Sequence, residues 1–209
     1  MHALRQFVML PLTVMTVAVS LNSTAQEIRQ TDKDPHRAHQ SQPKQETSPA
    51  QQYFTDVVLI NQNGQQMRLY SDLLKGRIVV INAFFTSCKD TCPIMAHSLA
   101  VLQESLGERL GKDVYLISIS VDPETDTPPK LLEYAVRFKA RPGWFFLTGN
   151  KENVNQALKK LGQYVEVRED HLNIIIMGNE PTGLWKKAMG LAKPEELIKI
   201  LDSLLKDKG

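Results

Sequence analysis

Cysteine is almost missing from this chain: Cys88 and Cys92 are the only two among 209 residues. One pair is too few to scaffold a domain large enough to build a hydrophobic core. A disulfide framework is therefore excluded, and a local chemical role for the thiols is the better reading. Charge imbalance is missing too. Lys and Arg number 25 against 23 Asp and Glu, the formal net charge is +2, and like charges do not run together. That removes the electrostatic footprint nucleic acid requires. No internal repeat is visible, and no apolar run reaches the roughly 20 residues of a membrane span.

The longest apolar stretch, FVMLPLTVMTVAVSL, follows a short basic start (His2, Arg5) and is broken by Pro11. It leads into STAQ, with small residues at Ser23 and Ala25, which is the layout of a secretory signal peptide. Residues 1–25 are expected to be that signal, or a membrane anchor if retained, and the compartment a bacterial periplasm where disulfides can form. Residues 26–52 are rich in Gln, Pro, Ser and mixed charge, the composition of a flexible linker. Residues 53–209 have the size of one domain.

Within that domain the pattern alternates. DVVLI and QQMRLY flank the turn signal NQNG and predict a hairpin, and RIVVINAFF predicts a buried strand. The cysteines follow directly. Met95, Leu99, Leu102, Leu106 and Leu110 then recur at helical spacing, with Pro93 in the first turn. DVYLISISV and GWFFLTG predict two more core strands, separated by the loop DPETDTPP and a helix around LLEYAVRF. A helix over KENVNQALKKLG, a hairpin turned at NEPTG and an amphipathic helix KPEELIKILDSLL close the chain. The fold class is α/β, a sandwich around one mixed sheet with a terminal hairpin. The dithiol sits where a strand gives way to a helix, with Cys92 at the helix N-terminus, where free N–H groups favour a thiolate.

Three uses of such a pair compete. A structural disulfide closes too small a loop to stabilise much. Thiol–disulfide exchange usually has two intervening residues, and here there are three. A soft metal such as Cu(I) needs one further donor, whereas zinc more often takes four protein ligands, or three and a water. His36 and His39 belong to the linker, His97 projects opposite the Met95–Leu99–Leu102 stripe, and Met95 reads as core. His171, before the strand LNIII, remains as the donor a loop could bring to the site, beside its reading as an ordinary surface histidine.

C-x-x-x-C-P after a hydrophobic strand, SVDPETDTP thirty residues on and DH before a terminal apolar strand resemble the Sco/SenC family of copper proteins over residues 53–209. The resemblance implies a thioredoxin-like fold that binds one copper, as Cu(I), Cu(II) or both, through Cys88, Cys92 and His171. Asp90 and Asp122 match family positions that support the site, and Lys89 stands where the family usually has proline. Lys89's positive charge should favour a thiolate at either cysteine. The implied role is that of a metallochaperone, not an enzyme in the usual sense, which delivers copper to the CuA site of cytochrome c oxidase. Its expected partners are the copper-bearing oxidase subunit and a periplasmic thiol reductant, since the pair ligates only when reduced. The alternative is a thiol–disulfide reductase for the cysteines of that subunit. Rival patterns fail: VREDHLN lacks the proline that thioredoxin-type oxidoreductases place beside their dithiol. Counting back from either cysteine also misses the peroxiredoxin P-x-x-x-T-x-x-C. The hairpin tip, with Pro181 and Trp185, is a candidate docking point, although Trp185 reads more readily as core.

Overall fold

The computed structural model describes residues 49–209. The expected signal peptide, most of the expected linker, and His2, His36 and His39 lie outside the described residues. Helix α1 (Pro49–Phe54) starts before position 53, because Phe54 is buried against the sheet and draws the preceding turn into the domain.

Strands β1 (Val58–Asn61) and β2 (Gln66–Arg68) form the first hairpin. The segment read as QQMRLY stops pairing at Arg68, and Leu69–Leu74 coils into a π-helix whose apolar side chains are buried. Asp56 explains the switch: its carboxylate accepts from the Tyr70 and Ser71 N–H groups at 3.1 and 2.7 Å, which would otherwise face a strand partner. Then follow β3 (Ile78–Phe84), α2 (Thr91–Leu106), β4 (Val114–Ser120), α3 (Pro128–Arg137), β5 (Trp144–Thr148) and α4 (Lys151–Leu161). The terminal hairpin β6 (Ile174–Asn179) and β7 (Leu184–Met189) leads to α5 (Pro194–Leu205). The stripe expected to hold α2 as far as Leu110 breaks at Gly107, whose φ of 54° suits glycine and ends the helix.

The seven strands lie in the order β2-β1-β5-β4-β3-β6-β7. The central β3, β4 and β5 run parallel and their outer neighbours antiparallel, so the sheet is mixed and the architecture thioredoxin-like, as expected. Alternation along each strand separates two cores. Val80 and Phe84, Leu116, Trp144 and Phe146, and Ile175 and Met177 face α2, α3 and α5. Val79 and Ile81, Ile117 and Ile119, Leu147 and Ile176 face α1, the π-helix and α4. Each large apolar side chain so buried contributes about 1.5–3 kcal/mol. Three polar side chains inside the central strands pair with one another: Trp144 Nε1 donates to Ser118 Oγ at 3.1 Å, and Ser118 Oγ donates to Asn82 Oδ1 at 2.7 Å.

Trp185 is half-buried, not core. Its ring lies on Gly178, where an added Cβ would stand 2.2 Å from the indole, and leans on Phe54 at 5.2 Å. Pro181, at the hairpin tip, is exposed. Among the described residues no helix is long and apolar enough to cross a membrane.

Candidate metal centre

β3 and β4 end side by side, and the loops beyond their carboxyl ends build the site, as is usual for a parallel sheet core. Val121 N–H donates to Phe84 O at 2.8 Å, which carries the pairing one step past the strands. The chain then parts into two loops, 85–90 and 121–127.

Asp126 ties those loops together. Its side chain is wholly buried; it accepts from the Thr86 N–H at 3.1 Å and from Ser120 Oγ at 2.6 Å, and Thr86 Oγ1 donates to it as well. The Asp126 N–H in turn donates to Asp122 O at 2.8 Å, closing the DPETD turn. Thr86 stands two residues before Cys88, so this carboxylate holds the base of the cysteine loop. Sequence reasoning singled out Asp122 in this motif and missed Asp126. The signal was present: a second acidic residue in a turn directly after a buried strand ending in serine.

Neither cysteine is in a disulfide. Cys92 sits in the first turn of α2 and is 1 % exposed, whereas Cys88 is half-buried in the loop before it. Asp90 occupies the N-cap of α2 but makes no side-chain cap bond, and its carboxylate is exposed. The Cys88 sulfur takes over that role. Burial pushes its thiol up, but a hydrogen bond from the Cys92 thiol and N–H groups of Cys92, Asp90 and Thr91 outweigh burial and hold it below the ordinary thiol value. Burial, and then donation to Cys88, push Cys92 up to about 12. The helix N-terminus therefore favours the thiolate at Cys88, not at Cys92 as the sequence suggested. The reason is directional: Cys92 lies inside the first turn and points to the core, while Cys88 approaches the free N–H groups from outside. Asp90 reaches the Cys88 sulfur through its backbone N–H alone. Lys89 is exposed.

His171 ends the short 3₁₀ turn Arg168–Asp170 and is 8 % exposed. Its Nδ1 lies 2.8 Å from Arg168 O; a carbonyl only accepts, so Nδ1 carries the proton. Nε2 is thereby left as an acceptor, 3.6 Å from Cys92 Sγ. The ring meets Phe85 edge-on at 5.4 Å. Cys92 thus touches both Cys88 and His171 and has one proton for two acceptors. Among the described residues no three His, Cys, Asp or Glu side chains are drawn into a ready-made cage for a metal ion. The donors are two soft sulfurs and one imidazole, the set that suits Cu(I), and fewer than structural zinc takes.

Asp122 reaches the His171 loop through Arg168, with which it forms an ion pair; the guanidinium also holds Glu169 at 2.8 Å and stands 5.2 Å from the Phe85 ring centre. Arg168 was not picked out from sequence. His97 is exposed and Met95 fully buried, as their helical phases predicted.

The SCO1/SenC family model matches residues 24–206. Among curated proteins, an SCO2-like protein of Rickettsia conorii is 36 % identical over 105 residues, half of this chain and 49 % of that protein. The chain spans about half the length of the curated relatives it matches. Among solved structures, copper-bound ScoI of Bradyrhizobium japonicum superposes with a TM-score of 0.59 at 26 % identity. The match covers 71 % of this chain and 96 % of ScoI. BsSco, described as a member of the Sco family of cytochrome c oxidase assembly proteins with a disulfide switch, gives 0.61 at 28 % identity over 74 % of this chain and 94 % of its own. With the dithiol at the end of a central strand and the histidine beside it, this match over nearly the whole length means that the chain belongs to the SCO1/SenC family.

Proposed function

We propose that the protein is a copper metallochaperone that takes one copper ion between Cys88, Cys92 and His171 and passes it to the copper-bearing subunit of cytochrome c oxidase. The observation that carries this reading is the approach of an unprotonated His171 Nε2 to the Cys92 sulfur at 3.6 Å. The Cys92 sulfur stands between the Cys88 sulfur and the imidazole nitrogen, and a soft cation would take the place of the thiol proton. The copper-bound relative and the oxidase-assembly relative support the same reading. The donors stand on separate segments, so copper can leave by exchange of one ligand at a time. The protein works on the periplasmic side, free or held by its N-terminal apolar run, and a thiol reductant there keeps the pair open.

One observation favours a second reading. An accessible, low-pKa thiol beside a buried, high-pKa thiol is the division of labour of a dithiol reductase. The Cys88 thiolate would attack a client disulfide, expelling one client thiolate. Cys92 would then release the second and close the Cys88–Cys92 disulfide, with the two electrons resupplied by an external thiol reductant. Disulfide reduction by the metal-free full-length chain, with and without His171→Ala, separates the two. A chaperone shows slow reduction and copper binding that needs His171, whereas a reductase shows fast reduction that does not.

A further inference from the structure

Residues 162–173 connect α4 to β6 and carry His171, yet little backbone pairing ties them to the sheet. Their start is held by the Gln163 side chain, whose carbonyl oxygen accepts from the Ala83 N–H at 3.0 Å. Their end is held by the Gly190 N–H, which donates to Asn173 O at 2.7 Å. Between these points, among the described residues, one ion pair reaches another element: Arg168 to Asp122. The same guanidinium covers Phe85, Phe85 meets the imidazole, and the Arg168 carbonyl takes the Nδ1 proton. The Arg168 side chain therefore fixes the seat of the loop, and its backbone carbonyl the tautomer of the ring.

We propose that Arg168 is a positioning residue: clasped to Asp122, it keeps His171 Nε2 facing Cys92, and opening the clasp lets the imidazole leave a bound copper ion while both sulfurs still hold it. This rests on the copper reading above and names the step that controls release. One nitrogen–copper bond breaks and a donor of the receiving protein takes its place, with no change of oxidation state. The order follows from anchoring. Cys92 is fixed in a buried helical turn and the Cys88 sulfur by the N–H groups of that turn, while His171 depends on a clasp open to water on one side. With side-chain exposures of 39 % for Arg168 and 12 % for Asp122, the pair is strong enough to hold the loop and weak enough to open.

The test uses the reduced full-length chain loaded with Cu(I), with transfer to excess soft chelator followed by stopped flow. Arg168→Gln should speed release roughly three- to tenfold, in line with a part-exposed ion pair reinforced by an aromatic contact. Arg168→Lys should recover most of the parent rate. In a His171→Ala background Arg168→Gln should have no further effect, because the ligand it positions is gone. Equal acceleration in that background, or none in the parent, overturns the proposal. Ring ¹⁵N and ¹H shifts of His171 in the metal-free chain give a separate readout. The parent should show protonated Nδ1 and bare Nε2; Arg168→Gln keeps the backbone carbonyl that sets this tautomer, but its imidazole should lose the ring-current shift that Phe85 imposes. A parent that takes up no Cu(I) defeats the copper reading alone, and the ring shifts still decide on the clasp: an unchanged Phe85 ring-current shift on the imidazole of Arg168→Gln overturns it.

Discussion

His171 Nε2 stands 3.6 Å from Cys92 Sγ, although 79 residues separate them in the chain. The contact joins a helix N-terminus to a loop that the sheet hardly holds, and it turns a dithiol into a three-donor site. The order in which the thiols ionise is set elsewhere: burial pushes Cys92 up, and hydrogen bonds from Cys92 and the first-turn N–H groups hold Cys88 down.

The two thiols should differ in reactivity. Cys88 is held below the ordinary thiol value and Cys92 pushed up to about 12. As pH rises from neutral, Cys88 therefore ionises first, and Cys92 stays neutral until pH nears 12. Iodoacetamide at mildly alkaline pH should label one cysteine per native chain, and peptide mass mapping should find it at Cys88. The labelling rate should reach half its plateau below the ordinary thiol pKa. Labelling of Cys92 first, or of both at one rate, contradicts this assignment.

Asp126 should matter more for folding than Asp122. Asp126→Ala strands a part-buried Thr86 N–H and the Ser120 and Thr86 hydroxyls, and should cost about 2–4 kcal/mol in urea unfolding. Asp122→Ala breaks a part-exposed ion pair and should cost about 1 kcal/mol or less. Equal losses would mean that the cysteine loop does not hang on Asp126.

Gly190→Ala should disturb the site from behind. An added Cβ would stand 2.4 Å from Met95 Sδ and 2.9 Å from Asn173 O. The thioether can move, but the backbone of Asn173, two residues from His171, must shift. A loss of about 1–3 kcal/mol is expected from such overpacking, with weaker copper binding beside it. Parent-like stability and affinity would show that residues 172–174 shift freely without consequence.

Most of the fold was legible because its signals are local. The β-branched runs of β3 and β4, the apolar stripes of α2 and α5 and the NEPTG turn each declare an element within a dozen residues. The π-helix was not legible, because Leu69 and Tyr70 continue a strand-like pattern until Asp56, fourteen residues away from Tyr70, captures the N–H groups of Tyr70 and Ser71. The same limit applies at the site. Cys88, Cys92 and His171 could be named from chemistry and resemblance. That Asp126 serves Thr86 forty residues back, or that Arg168 meets Asp122 across 46 residues, depends on which loops the parallel strands bring together. Burial set against N–H donation then decided which thiol ionises first, and neither can be read from spacing.

Copper stoichiometry and affinity of the reduced full-length chain, measured beside Cys88→Ser, Cys92→Ser and His171→Ala, test the central claim most directly. One copper per chain is predicted, with each substitution weakening it by more than the roughly 10–100-fold that loss of a mere supporting partner costs. A parent without tight copper binding, or a His171→Ala chain that binds as tightly as the parent, would contradict the three-donor site.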